Sequence, residues 1–335
     1  MRKLMLLSLC VAMALGCIGG ALAEEQEFDV WYITKTRSQA FSTWVVTVFE
    51  EQLAANYPNI HLKTYDGQES FETRAALMED CIAQQPDMLI LQYFDENEVP
   101  MIQEVINAGI PVCVTNGQYT SDPDLCSYVD IDPYEQGAIV AQYAAEHLPE
   151  GAKVVFMEGV AGNQHSEARA QAFEDYVFNV RDDVEVLATA NCDWDRAKAM
   201  STMEDWIQAF PQIDAVLTCY DEMGLGAMEA LIAADRIEGT QIYGTDALAG
   251  ACLAIKNGTY TATVLQDGNA IALGAIQVMV DVLINGNTEQ QMIYTETPLI
   301  TAENVDDMIK THLQFNMLTQ NDLSAYGWSA EDFGV

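Results

Sequence analysis

Short apolar runs alternate with longer amphipathic stretches along most of this chain. The run at 215–219 is too brief for a helix and lacks the polar alternation of a half-exposed strand. It is typical of a strand buried on both faces of a parallel sheet. Tyr220 and Asp221 follow before a helical pattern begins, and the Asp221 carboxylate is predicted to cap that helix. Because ligands bind beyond the carboxyl ends of such strands, Tyr220 is predicted to face a site.

The same alternation predicts the other regular elements of the chain. Strands are predicted at 28–34, 60–65, 88–91, 110–115, 128–131, 153–157, 184–188, 240–243, 260–265 and 292–294. Helices are predicted at 41–53, 70–84, 98–108, 134–148, 166–179, 197–210, 223–234, 248–256, 270–284 and 305–313. The tail 319–335 is polar and acidic, and it either packs loosely or extends.

Strands that alternate with helices of 10–15 residues predict an α/β protein with parallel, doubly wound sheets. The pattern starts again near residue 134, and 335 residues exceed one ordinary domain, so two lobes are expected. There are more elements at the end than a second lobe needs. If the helix at 270–284 returns to the first lobe, several crossings form a hinge, and the cleft between the lobes becomes the site.

Acidic residues dominate the charge of the chain. Lys and Arg together number 14 against 51 Asp and Glu, giving a formal net charge of -37. So acidic a surface argues against nucleic acid or an anionic membrane as a partner.

The first residues are interpreted as a secretory signal rather than as part of the fold. Arg2 and Lys3 precede an apolar run at 4–15, and a small-x-small pattern ends at Ala23. Cleavage is expected after Ala23, although a lipoprotein-type signal with acylation of Cys17 is the alternative. Either route exports the protein to the periplasm or the outer face of the cytoplasmic membrane. No other apolar run approaches the roughly 20 residues of a membrane span.

The cysteines and histidines show no spacing that indicates a disulfide framework, a metal site or a cofactor. Beyond the signal the cysteines lack CxxC pairs, and buried free thiols are expected at Cys81, Cys113, Cys126, Cys192, Cys219 and Cys252. The GLG sequence at 224–226 lacks the third glycine of a dinucleotide fingerprint, and no nucleophile elbow is present. No enzymatic activity, metal or cofactor is therefore expected.

Several short motifs, in order and at matching spacing, resemble the type I periplasmic sugar-binding proteins, the ribose- and galactose/glucose-binding solute receptors of ABC importers. The similarity covers about 110–283, and the amino-terminal part matches in pattern more than in residues. The matching sequences are AGIPV leading to Asn116, GNQHSEAR at 162–169, CDWD at 192–195, YDEMGLGA at 220–227, GTDA at 244–247 and TVLQDGN at 263–269.

The resemblance implies two Rossmann-like, doubly wound lobes joined by a three-crossover hinge, the type I periplasmic binding protein fold. It places one lobe at 28–132 plus 267–292 and the other at 133–266 plus 293–318. It further implies a monomer that captures a small sugar and delivers it to an ABC permease, touching the membrane only there or through an anchor at Cys17. A same-fold receptor that signals to a sensor kinase or chemoreceptor is the alternative.

Three residues are the principal candidates for contacts with the sugar. The guanidinium of Arg169 can donate to two hydroxyls at once, unless Arg169 is a surface residue paired with Glu167 or Glu174. Trp194 lies in a polar loop, where an aromatic ring can stack on the C–H face of a sugar or simply cover a gap between helices. Phe41 is predicted to stack from the opposite lobe, or to be part of the core.

The resemblance places other polar candidates at strand ends and crossovers. Asn116 and Asp246 suit hydroxyl recognition, although Asp246 could instead cap the helix at 248. The remaining candidates are Gln266, Asn163, His165, Tyr220, Thr34 and Ser38.

The chain departs from its relatives at three points. Gly117 stands where they carry a long cation, and Tyr220 replaces a usual Asn. The segment at 146–153 is too short for the calcium loop of galactose-type members.

Overall fold

Two six-stranded sheets, each covered by helices, form two α/β lobes in the computed structural model, which describes residues 26–335. The predicted signal segment, with cleavage after Ala23 or acylation at Cys17, lies outside the described residues.

All the strands of the first sheet are parallel, and their order is β11-β5-β4-β3-β1-β2. These strands are β1 Phe28–Thr34, β2 Ile60–Asp66, β3 Met88–Gln92, β4 Val112–Thr115, β5 Ser127–Asp130 and β11 Met292–Tyr294. The helices of this lobe are α1 Ala40–Asn56, α2 Phe71–Gln84, α3 Val99–Asn107 and α9 Gly268–Leu283.

The second sheet has the order β12-β10-β9-β8-β6-β7, and only its edge strand β12 runs antiparallel to its neighbour. Its strands are β6 Lys153–Glu158, β7 Glu185–Asn191, β8 Ala215–Thr218, β9 Gln241–Tyr243, β10 Ala262–Val264 and β12 Leu299–Thr301. Its helices are α4 Pro133–His147, α5 Gln164–Phe173, α6 Arg196–Ala209, α7 Asp221–Ala233, α8 Ala249–Asn257 and α10 Val305–Gln314.

The chain passes between the two lobes after β5, after β10 and after β11. The long apolar helix α9 packs against α1 of the first lobe. The predicted boundary at 292/293 falls inside β11, which pairs with β5 through all three of its residues. The last crossing therefore lies just after Tyr294.

The hydrophobic pattern corresponds to burial in the sheets. All four residues of β8 are buried, as the unbroken apolar run at 215–219 predicts. The sequence pattern did not reveal β12, because three residues that alternate in burial give too short a signal.

Asp221 does not cap α7, contrary to the prediction from its place in the sequence. Tyr220 occupies the cap position, and Asp221 is the first helical residue. Its buried carboxylate accepts hydrogen bonds from Leu248 N and Thr263 Oγ1, both 2.9 Å long, and from Tyr260 Oη at 3.0 Å. Burial raises the pKa of this carboxyl well above its ordinary value. Asp221 therefore ties α7 to α8 and β10 inside the second lobe.

The carboxyl-terminal tail packs on the second lobe rather than extending. A short helix α11, Gln320–Ser324, and a 3-10 turn at Ala330–Phe333 bury Leu323 and Phe333. Lys256 of α8 lies over the Phe333 ring at 5.9 Å from its centroid.

All six cysteines of the described chain are free and buried, as the sequence predicts. Across residues 26–335, none of the helices combines the length and the apolar character that crossing a membrane requires.

Candidate functional site

A cleft between the lobes gathers residues that follow the carboxyl ends of strands in both sheets. The empty space between its walls is about 580 Å³, a figure that includes solvent at the open mouth. Its lining consists of Lys35, Gln39, Phe41, Tyr93, Phe94, Asn116, Asn163, His165, Arg169, Trp194, Tyr220, Asp246 and Gln266. Nine of the eleven residues predicted from the sequence are in this set.

Arg169 is at the centre of the second-lobe wall. Its side chain is 2 % exposed, and Nη2 donates to Asp246 Oδ1 at 2.9 Å and to Gln266 Oε1 at 3.1 Å. Nη1 donates to the carbonyl of Cys219 at 2.8 Å. The alternative of a surface arginine paired with Glu167 or Glu174 is therefore wrong. Among the described residues, Nε of Arg169 has no hydrogen-bond partner, so one buried donor is left unsatisfied.

Asp246 serves the cleft rather than the cap of α8. That helix begins after Leu248 and has no side-chain cap. Asp246 and Ala247 adopt φ values of 100° and 52°, a left-handed turn that is costly for residues other than glycine. The turn is held by the hydrogen bond from Ala247 N to Thr263 Oγ1 at 3.1 Å. Burial raises the pKa of Asp246, and the nearby Arg169 guanidinium opposes that rise.

Trp194 is adjacent to this charged pair. Its ring centroid is 5.9 Å from Cζ of Arg169 and 5.7 Å from the Tyr220 ring, which it meets edge-on at 89°. Trp194 itself has a left-handed φ of 62°, which turns the loop after β7. The backbone of Gly159 lies against the indole, and a Cβ at that position would overlap the ring. Glycine at 159 thus makes room for the tryptophan.

Phe41 supplies an aromatic ring from the opposite lobe. It is on the first turn of α1 and is 5 % exposed, so it lines the cleft while it also belongs to the core cluster of α1. Its ring meets the Trp44 ring edge-on, with the two ring centroids 6.3 Å apart. Phe41 therefore belongs to the core and also lines the cleft, and its stacking on a sugar stays a prediction.

Hydrogen bonds between the lobes border the cleft. Gln266 Nε2 donates to Asn116 Oδ1, and His165 Nε2 lies 2.8 Å from Asp130 Oδ2. Asn163 accepts from Ser166 N at 3.2 Å and so caps α5, and it also lines the cleft. The described conformation is one in which the lobes touch across the site.

Thr34 and Ser38 do not line the cleft, although the resemblance placed them there. The Thr34 hydroxyl is buried and donates to Gln92 Oε1 at 2.7 Å. Ser38 is exposed, and its hydroxyl is 3.0 Å from that of Thr36. In both cases the nearest polar group is in the first lobe itself.

Four lining residues were not predicted, namely Lys35, Gln39, Tyr93 and Phe94. Lys35 directly follows β1, and Tyr93 and Phe94 directly follow β3. The strand-end rule that identified Tyr220 would have identified these residues too. Gly117 also has an explanation, because its φ is 150° and a Cβ there would collide with the Tyr93 side chain. No cation fits at that position.

Within residues 26–335, no three His, Cys, Asp or Glu side chains cluster in a way that could hold a metal ion.

Comparison with known proteins places this architecture in a family. The sequence model described as periplasmic binding protein domain matches residues 30–288. The chain belongs to the periplasmic binding protein family. Members of this family are solute receptors rather than enzymes, which confirms the expectation that this protein is not an enzyme.

Two curated relatives are similar over most of the length of this periplasmic binding protein. It is 31% identical to the xylitol-binding protein of Mycolicibacterium smegmatis over 254 residues, 75% of this chain and 72% of the relative. It is also 31% identical to the ribose import binding protein RbsB of Bacillus subtilis over 281 residues, 83% of this chain and 89% of the relative.

Solved structures confirm the two-lobed fold. An ABC transporter solute binding protein from Bacillus halodurans with bound myo-inositol has a TM-score of 0.79 at 26% identity, covering 86% of this chain and 99% of its own. A galactofuranose binding protein has the same TM-score of 0.79 at 19% identity and therefore supports the fold alone.

Proposed function

We propose that this periplasmic binding protein captures a monosaccharide or a small polyol in the cleft and delivers it to an ABC importer permease. The observation that carries the proposal is the buried Arg169–Asp246 pair beside Trp194, in a cleft lined by both lobes. A guanidinium donates and a carboxylate accepts, so together they satisfy neighbouring hydroxyls. The indole offers a flat apolar surface to the C–H face of a sugar.

The lining is sufficient for useful affinity. Each hydrogen bond contributes about 0.5–1.5 kcal/mol net, and an aromatic contact contributes a similar amount. Several such contacts, less the cost of immobilising the ligand, give roughly the 8 kcal/mol of micromolar binding. The names of the relatives support the ligand class, since they include a pentose and a pentitol.

Delivery requires that a permease distinguish the closed, loaded protein from the open one. Contacts that cross between the lobes support such a closed state. We infer an exported monomer that acts at the cell envelope, and its only obligatory protein partner is the permease.

The first experiment is a thermal-shift screen of the mature protein against pentoses, hexoses, their glycosides and polyols, followed by calorimetry on the hits. A ligand that binds only the native state raises the unfolding midpoint. Trp194→Ala should weaken binding of the best hit at least tenfold. Trp206→Ala, a half-buried indole on α6 that is absent from the cleft lining, is the matched control and should retain full affinity.

The second experiment tests delivery in cells. Deletion of the gene should abolish uptake of the radiolabelled ligand, and wild type but not Trp194→Ala should restore it. Normal uptake in the deletion strain would refute the transport role, whereas failure of every sugar and polyol to bind would refute the proposal for the cleft.

A further inference from the structure

Lys35 is a cation in the cleft wall whose charge the other residues of the wall do not use. It directly follows β1 and lines the cleft, and its side chain is only 21% exposed. Its backbone N–H donates to Gln92 Oε1 at 2.8 Å, which fixes where the side chain begins. The position of this lysine is therefore set by the first sheet.

The ammonium group of Lys35 has no close acceptor among the described residues. Its ion-pair partner is Glu69, whose Oε1 is 3.8 Å from Nζ and thus beyond hydrogen-bond distance. The same oxygen already accepts a hydrogen bond from Gln39 Nε2 at 2.7 Å. The Glu69 side chain is 46% exposed, and such water-exposed pairs contribute little. Three N–H groups of the ammonium thus remain available.

The other charges in the lining cancel. Arg169 is paired with Asp246 at 2.9 Å, and Lys35 is the remaining residue of the lining that carries a permanent charge. The wall also has a buried donor without an acceptor, Nε of Arg169. Burial lowers the pKa of Lys35, with Glu69 opposing, which indicates that solvation of its ammonium is incomplete. Screening confines the field of the distant surface acids, so the local cation determines what the cleft attracts.

We propose that the ligand is an acidic sugar derivative, such as a uronate or an aldonate, whose carboxylate binds Lys35. This inference rests on the proposed function, because the hydroxyls of the same ligand bind the Arg169–Asp246 pair and its carbon skeleton packs on Trp194. A carboxylate only accepts hydrogen bonds, which suits a wall with surplus donors. A neutral hydroxyl leaves the lysine with only the exposed Glu69 as its counter-charge.

The test uses calorimetry with ligand pairs that differ only at the acidic carbon. The pairs are D-glucuronate with D-glucose, D-galacturonate with D-galactose, and D-gluconate with D-glucitol. Wild type should bind the acidic member of at least one pair tenfold or more tightly than the neutral member. Lys35→Met should weaken the acid at least tenfold and the neutral member less than threefold, while Lys35→Arg should retain the preference.

The matched control is Lys63→Met, which removes an exposed lysine paired with Asp29 on β1 at 3.3 Å. It should bind every ligand like wild type, and the unfolding midpoint of each variant shows that it is folded. If wild type binds the neutral member as tightly as the acid, or Lys35→Met weakens both equally, the inference is overturned and the proposed function stands. If wild type binds neither member of any pair nor any other sugar or polyol, the proposed function fails as well.

Discussion

Replacement of Arg169 by Met tests whether the charged pair is structural as well as ligand-binding. Methionine has a similar length but no donors, so the Asp246 carboxylate, whose residue is 5% exposed, loses its cation. Breaking a buried pair by removing one partner costs about 3–5 kcal/mol. At roughly 2–4 °C per kcal/mol for a cooperative unit of lobe size, the ligand-free unfolding midpoint should fall by about 6–20 °C.

The pH dependence of that loss separates charge from packing. Burial raises the pKa of Asp246, and Arg169 is the largest of the influences that oppose this rise, ahead of His165 and Gln136. A carboxyl whose folded pKa is raised contributes stability at low pH and loses it as pH rises through that pKa. The defect of Arg169→Met should therefore be largest at pH 7 and should shrink toward pH 4.

The measurement is calorimetric unfolding of ligand-free protein at pH 4, 5.5 and 7. Adding Asp246→Asn to Arg169→Met should recover much of the loss at pH 7, because no buried charge is then left unpaired. Arg196→Met is the control, since that arginine is 40% exposed and pairs with Glu222 and Glu229 on the surface of α7. A shift below 2 °C for Arg169→Met, or no recovery in the double variant, refutes the reasoning.

Three further predictions concern other positions. Burial lowers the pKa of His312 to about 4, so its protonation in the unfolded chain should remove about 2–3 kcal/mol of stability as pH falls from 6.5 to 4.5. When the free energy of unfolding is measured in urea across this pH range, His312→Gln should lack this part of the pH dependence. An equal pH dependence in the variant and the wild type contradicts the prediction. Gly159→Ala should displace Trp194 and weaken ligand binding at least tenfold by calorimetry, while Gly151→Ala, at an open turn, leaves affinity unchanged. Glu98→Gln should lower stability by several kcal/mol because Arg74 is left unpaired at zero exposure; a midpoint within 2 °C of wild type argues against it.

The local sequence pattern was sufficient to predict the helices and most strands of the fold, but not the hydrogen-bond partners of individual side chains. The apolar run of β8 and the apolar positions at helical spacing in α1 are enough to predict that these elements are buried. Asp221 was mistaken for a cap because local rules favour aspartate at a helix start. The side chains of Tyr260 and Thr263, which donate hydrogen bonds to its carboxylate, are 39 and 42 residues away. Such long-range competition is not encoded in the neighbouring sequence.

The location of the candidate site could be predicted from the sequence, but the pairing of its side chains could not. Strand ends identified the neighbourhood, but the partner of Arg169 is 77 residues distant and could have been a nearby glutamate instead. Lys35 directly follows β1, so the strand-end rule places it near the site. The sequence does not show that its charge lacks a close partner, because that depends on residues brought together by the fold.

The burial of every cysteine in residues 26–335 makes the molecule well suited to labelling. Desolvation raises the pKa of Cys113 and Cys252 well above the ordinary value, and those of Cys81 and Cys219 to about 12, so these sulfurs stay protonated and inert to maleimide dyes. A cysteine introduced on the outer surface of each lobe would then take up fluorophores selectively. Energy transfer between the two dyes could report the opening and shutting of single molecules in real time.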